Sequence, residues 1–319
     1  MSNSLFDTRV TRMLGIKYPI IQGAMLHISD AVMAAAVSNA GGLGQLATGH
    51  LEGKEAIRQE IRRTRELTDK PFGVNLPIGR KPQHETVEVV IEEGVSVVSM
   101  SGGNPEPYMA RLKEAGVKTL CVIGGTRYAK NAERLGADAV IAMGTEAGGH
   151  IGREYVGTFV MVPCIVDAVK IPVIAAGGIG DARGFLAALA LGAEAALLGT
   201  RFIATRESRA HDDYKAALIK YTEAETIVVQ RKVGRTARVL RTPVAERIVE
   251  MEEKGATLED LLPLMSGEQS QKAALRGNVE AGFPSAGQVV GLIHSVPSID
   301  ELIRSMVEGA EQIVAHWRG

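Results

Sequence analysis

The stretch Ala139-Val-Ile-Ala-Met143, followed by Gly144-Thr-Glu-Ala-Gly-Gly-His-Ile-Gly152, organises the sequence. Its first five residues are continuously apolar, as in a strand that is buried on both faces. Gly148 and Gly149 then place His150 on a turn where the backbone can bend sharply and lie close to a ligand. The pattern predicts a buried parallel strand that ends in a histidine-bearing turn.

The same alternation of a short apolar run and a helix pattern extends from the N-terminus to about residue 225. Eight apolar runs occur, at 18–25, 43–47, 72–76, 95–100, 118–123, 139–143, 172–176 and 195–199. Eight strand-helix units predict an α/β fold of the (β/α)8 TIM barrel type. An open doubly wound sheet is the alternative, and the number of units favours the barrel.

The pattern changes after residue 225, where strand signals fade and helix patterns dominate. We expect helices at 244–254, 258–264, 269–276, 286–293 and 299–315. The sequence therefore divides into a barrel, residues 1–225, and a helical subdomain, residues 226–319, that packs over the barrel mouth. Residues 225–243 are expected to form the connecting loop.

Composition narrows the class of partner. The 319 residues carry a formal net charge of -1 and only 4% aromatic residues, which disfavours binding to nucleic acid or to an anionic membrane. Cys121 and Cys164 lie in apolar runs without metal-ligand spacing, so we expect neither a disulfide framework nor a metal site. There is no apolar signal core and no run of about 18 apolar residues. We expect a cytoplasmic protein that acts on a small-molecule substrate.

Two glycine-bearing strand ends predict a phosphate site. Gly177-Gly178 and Gly199-Thr200 end the seventh and eighth runs, where barrels often hold phosphate with backbone N–H groups and a helix N-terminus. Residues 178–181 precede such a helix. Two ordinary strand-helix turns are the alternative interpretation. A Rossmann site is not supported, because no Gly-x-Gly-x-x-Gly follows the first strand.

His150 is the candidate for chemistry, because no other histidine stands in a glycine turn after a buried strand. Its position alone leaves a catalytic and a structural role equally open. A neutral imidazole can take a proton from carbon or donate a hydrogen bond to an oxygen. Glu146, four residues earlier, could orient the ring or could simply be solvated.

Several motifs together resemble the nitronate monooxygenase family, once called 2-nitropropane dioxygenases, and the related enoyl-acyl-carrier-protein reductase II. They span almost the whole chain and are Tyr18-Pro-Ile-Ile-Gln-Gly-Ala-Met25, Ala40-Gly-Gly-Leu-Gly44, Lys70-Pro-Phe-Gly-Val-Asn75, Glu146-Ala-Gly-Gly-His150, Ile174-Ala-Ala-Gly-Gly178, Leu198-Gly-Thr-Arg-Phe202 and Ser285-Ala-Gly-Gln288.

The resemblance implies an FMN-binding barrel in which His150 faces the substrate beside the flavin. Gly177, Gly178, Gly199 and Thr200 would hold the FMN phosphate. The full set of cofactor-binding residues that it implies is Gln22, Gly23, Ala24, Met25, Asn75, Gly149, Ala176, Gly177, Gly178, Gly199, Thr200 and Ser285.

Three functions remain open at this point. The first is an FMN-dependent nitronate monooxygenase that oxidises nitronates or nitroalkanes with O2. The second is an NAD(P)H-dependent reductase of enoyl thioesters or quinones, and only this interpretation implies an acyl-carrier protein as partner. The third is a non-catalytic FMN-binding barrel. A homodimer is compatible with each of them.

Two further features bear on the substrate. Leu26-His27 and the small residues at 123–126 depart from the pattern of the family and alter the substrate face. Arginine and lysine residues within 231–241 could form a local basic patch for an acyl-carrier partner, although a solvated loop is the simpler interpretation.

Overall fold

Eight parallel strands form a single closed sheet. The computed structural model describes residues 5–79 and 81–318. Residues 1–4 and 80 of the predicted barrel region and residue 319 of the predicted helical subdomain lie outside the described part. The strands are β1 (Ile20–Gln22), β2 (Gly44–Ala47), β3 (Phe72–Pro77), β4 (Val97–Ser101), β5 (Lys118–Ile123), β6 (Ala139–Met143), β8 (Val173–Ala176) and β9 (Ala195–Leu198). A short strand, β7 (Gly149–His150), stands apart from this sheet.

The sheet closes between its first and last members. The order is β1-β9-β8-β6-β5-β4-β3-β2, and an isolated parallel bridge joins Ile21 to Leu43. Across this seam the Gln22 N–H donates to the Leu43 carbonyl at 2.9 Å. The predicted (β/α)8 barrel is confirmed, and the open doubly wound alternative is wrong.

Both faces of each strand are covered, which explains the continuously apolar runs. In β6, Ala139 and Ile141 pack in the barrel interior, whereas Val140 and Ala142 pack against the surrounding helices. The helices between the strands are α2 (Ala31–Asn39), α3 (Gly53–Leu67), α4 (His84–Glu92), α5 (Glu106–Glu114), α6 (Thr126–Arg134), α7 (Thr158–Val166) and α8 (Ala182–Ala190).

Helix α1 (Arg9–Leu14) covers the bottom of the barrel. Its Val10 and Leu14 join the interior cluster, and its Arg9 side chain donates to the Lys170 carbonyl, just before β8 begins. The amino-terminal end of the barrel is therefore filled, and the opposite end is the one available for a ligand.

The chain after β9 differs from the all-helical expectation. Short helices α9 (Thr200–Ile203) and α10 (Asp212–Lys220) come first, followed by strands β10 (Thr226–Val229) and β11 (Ala237–Leu240). These two strands form an antiparallel hairpin, and β11 also pairs with β7. Residues 225–243 are thus not a simple connecting loop. The β-branched run Thr226-Ile-Val-Val229 gives a strand signal that the arginine-rich turn after it obscured.

Helices complete the rest of this region. They are α11 (Pro243–Glu253), α12 (Leu258–Met265), α13 (Gly267–Arg276) and α14 (Ile299–Trp317), with a short 3-10 helix at Gln288–Leu292 in place of the expected α-helix at 286–293. The hairpin, α11 and α12 share a small core of their own. We refer to residues 204–298 as the insertion.

Helix α14 lies in the outer ring and not over the mouth. It packs against α8 and α2, in the position where a barrel needs its eighth helix. A Cβ on Gly309 would lie 2.6 Å from the Cβ of Ala182, so the missing side chain lets α14 approach α8 closely. The insertion therefore separates the eighth strand from the eighth helix. The division of the chain at residue 225 stays a prediction.

Candidate functional site

A cavity of about 1950 Å³ opens at the carboxyl ends of the barrel strands. Loops that follow all eight strands line it, together with residues of the insertion. His150 lines this cavity, and so does every predicted cofactor residue except Gln22: Gly23, Ala24, Met25, Asn75, Gly149, Ala176, Gly177, Gly178, Gly199, Thr200 and Ser285.

The floor of the cavity is bare backbone at the ends of β8 and β9. Gly177 and Gly178 have φ angles of 104° and 70°, in the left-handed region that favours glycine. A Cβ on Gly177 would lie 2.9 Å from Thr158 Oγ1. At Gly199 the nearest such contact is Met25 Sδ at 3.9 Å. The exposed backbone at these strand ends fits a phosphate group, which backbone N–H groups bind well.

The helix that follows the floor does not offer its N-terminus to a ligand. The Asp181 carboxylate accepts hydrogen bonds from the backbone N–H groups of Arg183 and Gly184, at 2.9 and 3.2 Å, and so caps α8. Burial opposes ionisation, but hydrogen bonds from the Arg183 side chain and from these N–H groups lower the pKa of Asp181. Two N–H groups of this helix N-terminus are therefore already bonded to Asp181 and are not free for a phosphate group.

The fourth predicted phosphate residue, Thr200, is held by the insertion. Its Oγ1 accepts a hydrogen bond from the Gly287 N–H at 3.0 Å, which leaves the hydroxyl hydrogen available as a donor. Nearby, the Tyr214 hydroxyl donates to the Ser285 carbonyl at 2.6 Å, and burial raises the pKa of Tyr214. The Ser285-Ala-Gly-Gln288 motif thus closes over the end of β9.

On the opposite side of the floor, Asn75 is oriented by the neighbouring strand. Its Nδ2 donates to Ser99 Oγ at 2.9 Å and lies 3.3 Å from Ser101 Oγ. Because these contacts fix the amide, its remaining surface faces the cavity in a defined orientation.

Gln22 lies beneath the cavity and not in its lining. Its side chain is fully buried, donates to Ser29 Oγ at 2.7 Å and accepts from the Gln45 N–H at 2.8 Å. Ser29 Oγ in turn accepts from the Met25 N–H at 2.8 Å. Gln22 therefore supports the turn at Gly23–Met25 and can act on a cofactor only through it.

Gln45 is a lining residue that the predicted site omits. Its Nε2 donates to the Gln22 carbonyl at 2.8 Å, which fixes the amide orientation, while its buried Oε1 has no partner within the described residues. A buried acceptor without a donor is costly, so this oxygen fits a ligand that carries an N–H group, such as the flavin ring system. The available signal was a polar residue within the otherwise apolar second run, residues 43–47.

The histidine turn forms one wall of the cavity. In the pairing of β7 with β11, His150 is opposite Ala237 and Gly149 is opposite Arg238. The Ile151 N–H extends this pairing by donating to the Thr236 carbonyl at 3.1 Å. His150 is exposed, and a Cβ on Gly149 would meet no atom within 4 Å. The turn therefore presents an imidazole and bare backbone to the cavity.

Arg238 joins this wall to the barrel. Its Nε donates to the Thr145 carbonyl at 2.9 Å and its Nη1 donates to Thr226 Oγ1 at 3.0 Å. The residue is only 8% exposed. Burial lowers the pKa of its guanidinium, and the nearby Glu146 carboxylate opposes that shift.

Glu146 has a third role that neither interpretation of the sequence anticipated. Both of its carboxylate oxygens accept from the Thr158 N–H, at 2.9 and 3.0 Å, and one accepts from Thr158 Oγ1 at 3.0 Å. The carboxylate therefore caps the first turn of α7, where negative charge is favourable. It fixes the loop between β6 and β7, on which His150 is carried.

Two other kinds of site are absent from the part of the chain that the structure describes. Among residues 5–79 and 81–318, no cluster of three His, Cys, Asp or Glu side chains has the arrangement needed to hold a metal ion. Over the same ranges no helix is both long and apolar enough to cross a membrane.

Comparison with known proteins gives consistent similarities over almost the full length of the chain. A family model described as nitronate monooxygenase matches residues 7–309. The chain is 36% identical to a (3aS,4S,5R,7aS)-5-hydroxy-7a-methyl-1-oxo-octahydro-1H-indene-4-carboxyl-CoA dehydrogenase of Mycobacterium tuberculosis, covering 94% of this chain and 95% of the relative. It is 34% identical to a probable nitronate monooxygenase of Staphylococcus saprophyticus, covering 97% and 99%.

Solved structures are similar over the same extent. FabK from Thermotoga maritima superposes with a TM-score of 0.91 at 43% identity and covers 98% of each chain. Nitroalkane oxidase from Streptomyces ansochromogenes superposes with a TM-score of 0.83 at 31% identity, covering 96% of this chain and 99% of that one.

Proposed function

The chain belongs to the nitronate monooxygenase family of flavin-dependent oxidoreductases, and we propose that it uses FMN to transfer electrons from NAD(P)H to an enoyl thioester, with His150 beside the reacting carbon. Reduction of an enoyl thioester thus takes precedence over nitronate oxidation, the first of the three functions that the sequence motifs left open. FabK, an enoyl-acyl-carrier-protein reductase II, and the carboxyl-CoA dehydrogenase both support the thioester.

The observation that carries the proposal is the size of the cavity. Its volume of about 1950 Å³ is roughly twice the upper end of the ~300–1,000 Å³ range of pockets for drug-sized ligands. FMN with a small nitronate would leave much of that space unfilled. FMN with a long acyl thioester arm would use it.

The residues of the site have separate tasks in this reaction. The glycine backbone at Gly177–Gly178 and Gly199 binds the phosphate end of the cofactor. When bound, the flavin supplies hydride transfer between the nicotinamide and the β-carbon of the substrate. His150 donates a hydrogen bond to the thioester oxygen and supplies the proton for the α-carbon.

The insertion supplies the roof. Leu262, Met265 and Phe283 line the cavity from the side of the insertion. Apolar side chains there exclude water from the reacting atoms and strengthen the hydrogen bond from the imidazole.

Nitronate oxidation is the second candidate, favoured by the family model over residues 7–309 and by the relative from Staphylococcus saprophyticus. In that reaction His150 would hold the nitro group or take a proton from the carbon next to it. A small nitronate would then leave most of the cavity beside the cofactor unfilled.

Anaerobic mixing of the purified holoenzyme with NADH, NADPH and a nitronate in parallel tests the proposal. We expect NADH or NADPH to bleach the flavin absorbance and an added enoyl thioester to restore it, while the nitronate leaves it unchanged. Bleaching by the nitronate alone would establish the second candidate, and bleaching by none would reject both. Mass spectrometry of the cofactor released by heat distinguishes FMN from FAD.

A further inference from the structure

An unpaired basic group stands at the edge of the cavity beside the histidine turn. We define the rim cluster by four residues. Arg153 and Tyr155 come after β7, and Arg231 and Arg235 belong to the turn between β10 and β11. Arg153 and Arg235 line the cavity. The ion pairs formed among residues 5–79 and 81–318 include none of these three arginines. Their positive charge is therefore available to a ligand.

The rim cluster is ordered by its own contacts. Arg153 Nη2 donates to the Gly234 carbonyl at 2.7 Å. Arg231 donates from Nε to the Tyr155 hydroxyl at 3.1 Å, and its guanidinium carbon lies 5.0 Å from the centre of that ring. A guanidinium held in this way retains other N–H groups in fixed directions. A freely solvated loop would show no such stacking.

Backbone strain coincides with the rim cluster. Within the described residues, three that are not glycine have a positive φ, and two of them, Tyr155 (52°) and Gln230 (61°), flank this group. Such conformations persist only where the surrounding structure imposes them, and they concentrate at binding and catalytic sites. The third is His27, with a φ of 65°.

A buried carboxylate fixes the strained turn without neutralising the arginines. Glu252 is 4% exposed and accepts from the Gln230 N–H at 2.7 Å and from the Lys232 N–H at 2.9 Å. Of the neighbouring acids, Glu253 pairs with Lys232, and the Glu154 carboxylate is turned toward Gly125. The acids of this region are therefore directed to the backbone, to the lysine or away from the cluster.

We propose that the rim cluster binds the phosphate groups of a coenzyme A thioester, so that the acyl end of the same molecule reaches His150. This inference rests on the proposed thioester function. Arginine forks match phosphate oxygens in pairs, and such charge-assisted bonds are stronger than neutral ones. Because Arg153, Arg235 and His150 line one continuous cavity, a flexible pantetheine arm connects the two ends. A nicotinamide nucleotide carries the same phosphate chemistry, so the test separates the two sources.

Calorimetric titration of the holoenzyme with coenzyme A, pantetheine and NADH provides the test. The first variant is Arg235→Gln, because the Arg235 side chain forms no hydrogen bond or ion pair within residues 5–79 and 81–318 that the substitution would remove. The second is Arg231→Gln, and the double variant combines the two. Arg63→Gln, an exposed arginine of α3, is the matched control. We expect the Kd for coenzyme A to rise by about tenfold in the double variant, since bonds to charged groups are of this strength. Binding of pantetheine and NADH, and all binding by the control, should not change.

Two results would overturn the assignment. One is that the double variant binds coenzyme A as tightly as the wild type does, and the other is that the double variant loses affinity for NADH instead of for coenzyme A. The titration needs no turnover, so its outcome is independent of the flavin-reduction experiment. A wild type that binds coenzyme A through the arginines but reduces no thioester would keep the site and reject the reductase function.

Discussion

The floor and the histidine wall of the cavity are supported in different ways. The floor glycines follow β8 and β9, strands paired on both sides within a closed barrel. His150 stands on β7, a two-residue strand whose only pairing among the described residues is with β11 of the insertion. Substitutions in the floor should therefore affect flavin binding and folding, whereas those in the wall should affect turnover.

Gly177→Ala should produce the largest effect. The new Cβ would lie 2.9 Å from Thr158 Oγ1 and 3.1 Å from the Gly144 carbonyl oxygen, at a φ of 104°. We expect the free energy of unfolding to fall by about 2–4 kcal/mol and most of the flavin to be lost, as measured by denaturation and by flavin absorbance per protein. Gly255→Ala, at a φ of 87° with no atom within 4 Å, is the control and should keep its flavin. Full flavin content in Gly177→Ala would contradict the role of the floor.

His150→Gln should separate the wall from the floor. We expect full flavin content and a fall in kcat of roughly 10²–10⁴, the usual contribution of a general acid or base. His316→Gln, on the exposed end of α14, serves as the control. Loss of flavin from His150→Gln would assign the histidine a structural role instead.

Arg238→Gln tests whether the wall depends on its attachment to the barrel. The variant loses the contacts to the Thr145 carbonyl and to Thr226 Oγ1. We expect a loss of about 1–3 kcal/mol in unfolding free energy and a lower kcat with little change in KM or flavin content. Arg241→Gln, whose charge sits 3.7 Å from Glu246 at the surface, should change neither. Equal kinetics for the two variants would show that Arg238 does not position the histidine turn.

The smallest expected effect is a pH dependence at a second junction between barrel and insertion. His27 Nε2 lies 3.1 Å from the Gly267 carbonyl oxygen, and the centre of the His50 ring lies 5.0 Å from the centre of the His27 ring, with the two rings tilted by 56°. Burial, followed by the proximity of His27 and of Arg209, lowers the pKa of His50 to about 4, against a smaller opposing influence of Asp30.

Because this pKa is depressed, the unfolded chain binds a proton between about pH 6.5 and 4 that the folded protein does not. Stability is therefore lost as the pH falls through that window, by on the order of 1 kcal/mol after allowance for solvent screening. The melting temperature should fall less between about pH 7 and pH 5 in His50→Asn than it does in the wild type. Identical falls in both proteins would place the titrating group elsewhere.

The two regions also differ in how far the sequence predicts them. The floor follows from local pattern, since Gly177-Gly178 and Gly199 directly end apolar runs and parallel strands bring their ends together. The wall does not, because the pairing of Gly149 and His150 with residues almost 90 positions later leaves no local signal. The contacts of Gln22 and Glu146 escaped the sequence for the same reason: their partners, Ser29, Gln45 and Thr158, are set by folding and not by spacing.

The sequence by itself determined the barrel, its eight strands and the position of the glycine floor. Burial of a strand on both faces leaves a local apolar run, and a sharp turn after a strand leaves a local glycine, so both can be recognised without knowledge of distant contacts. Tertiary structure decided which elements meet across the mouth. It brought the hairpin onto β7, returned α14 to the outer ring and grouped Arg153 with Arg231 and Arg235. Those contacts join residues far apart in the chain, so their energies exist only once the barrel has closed.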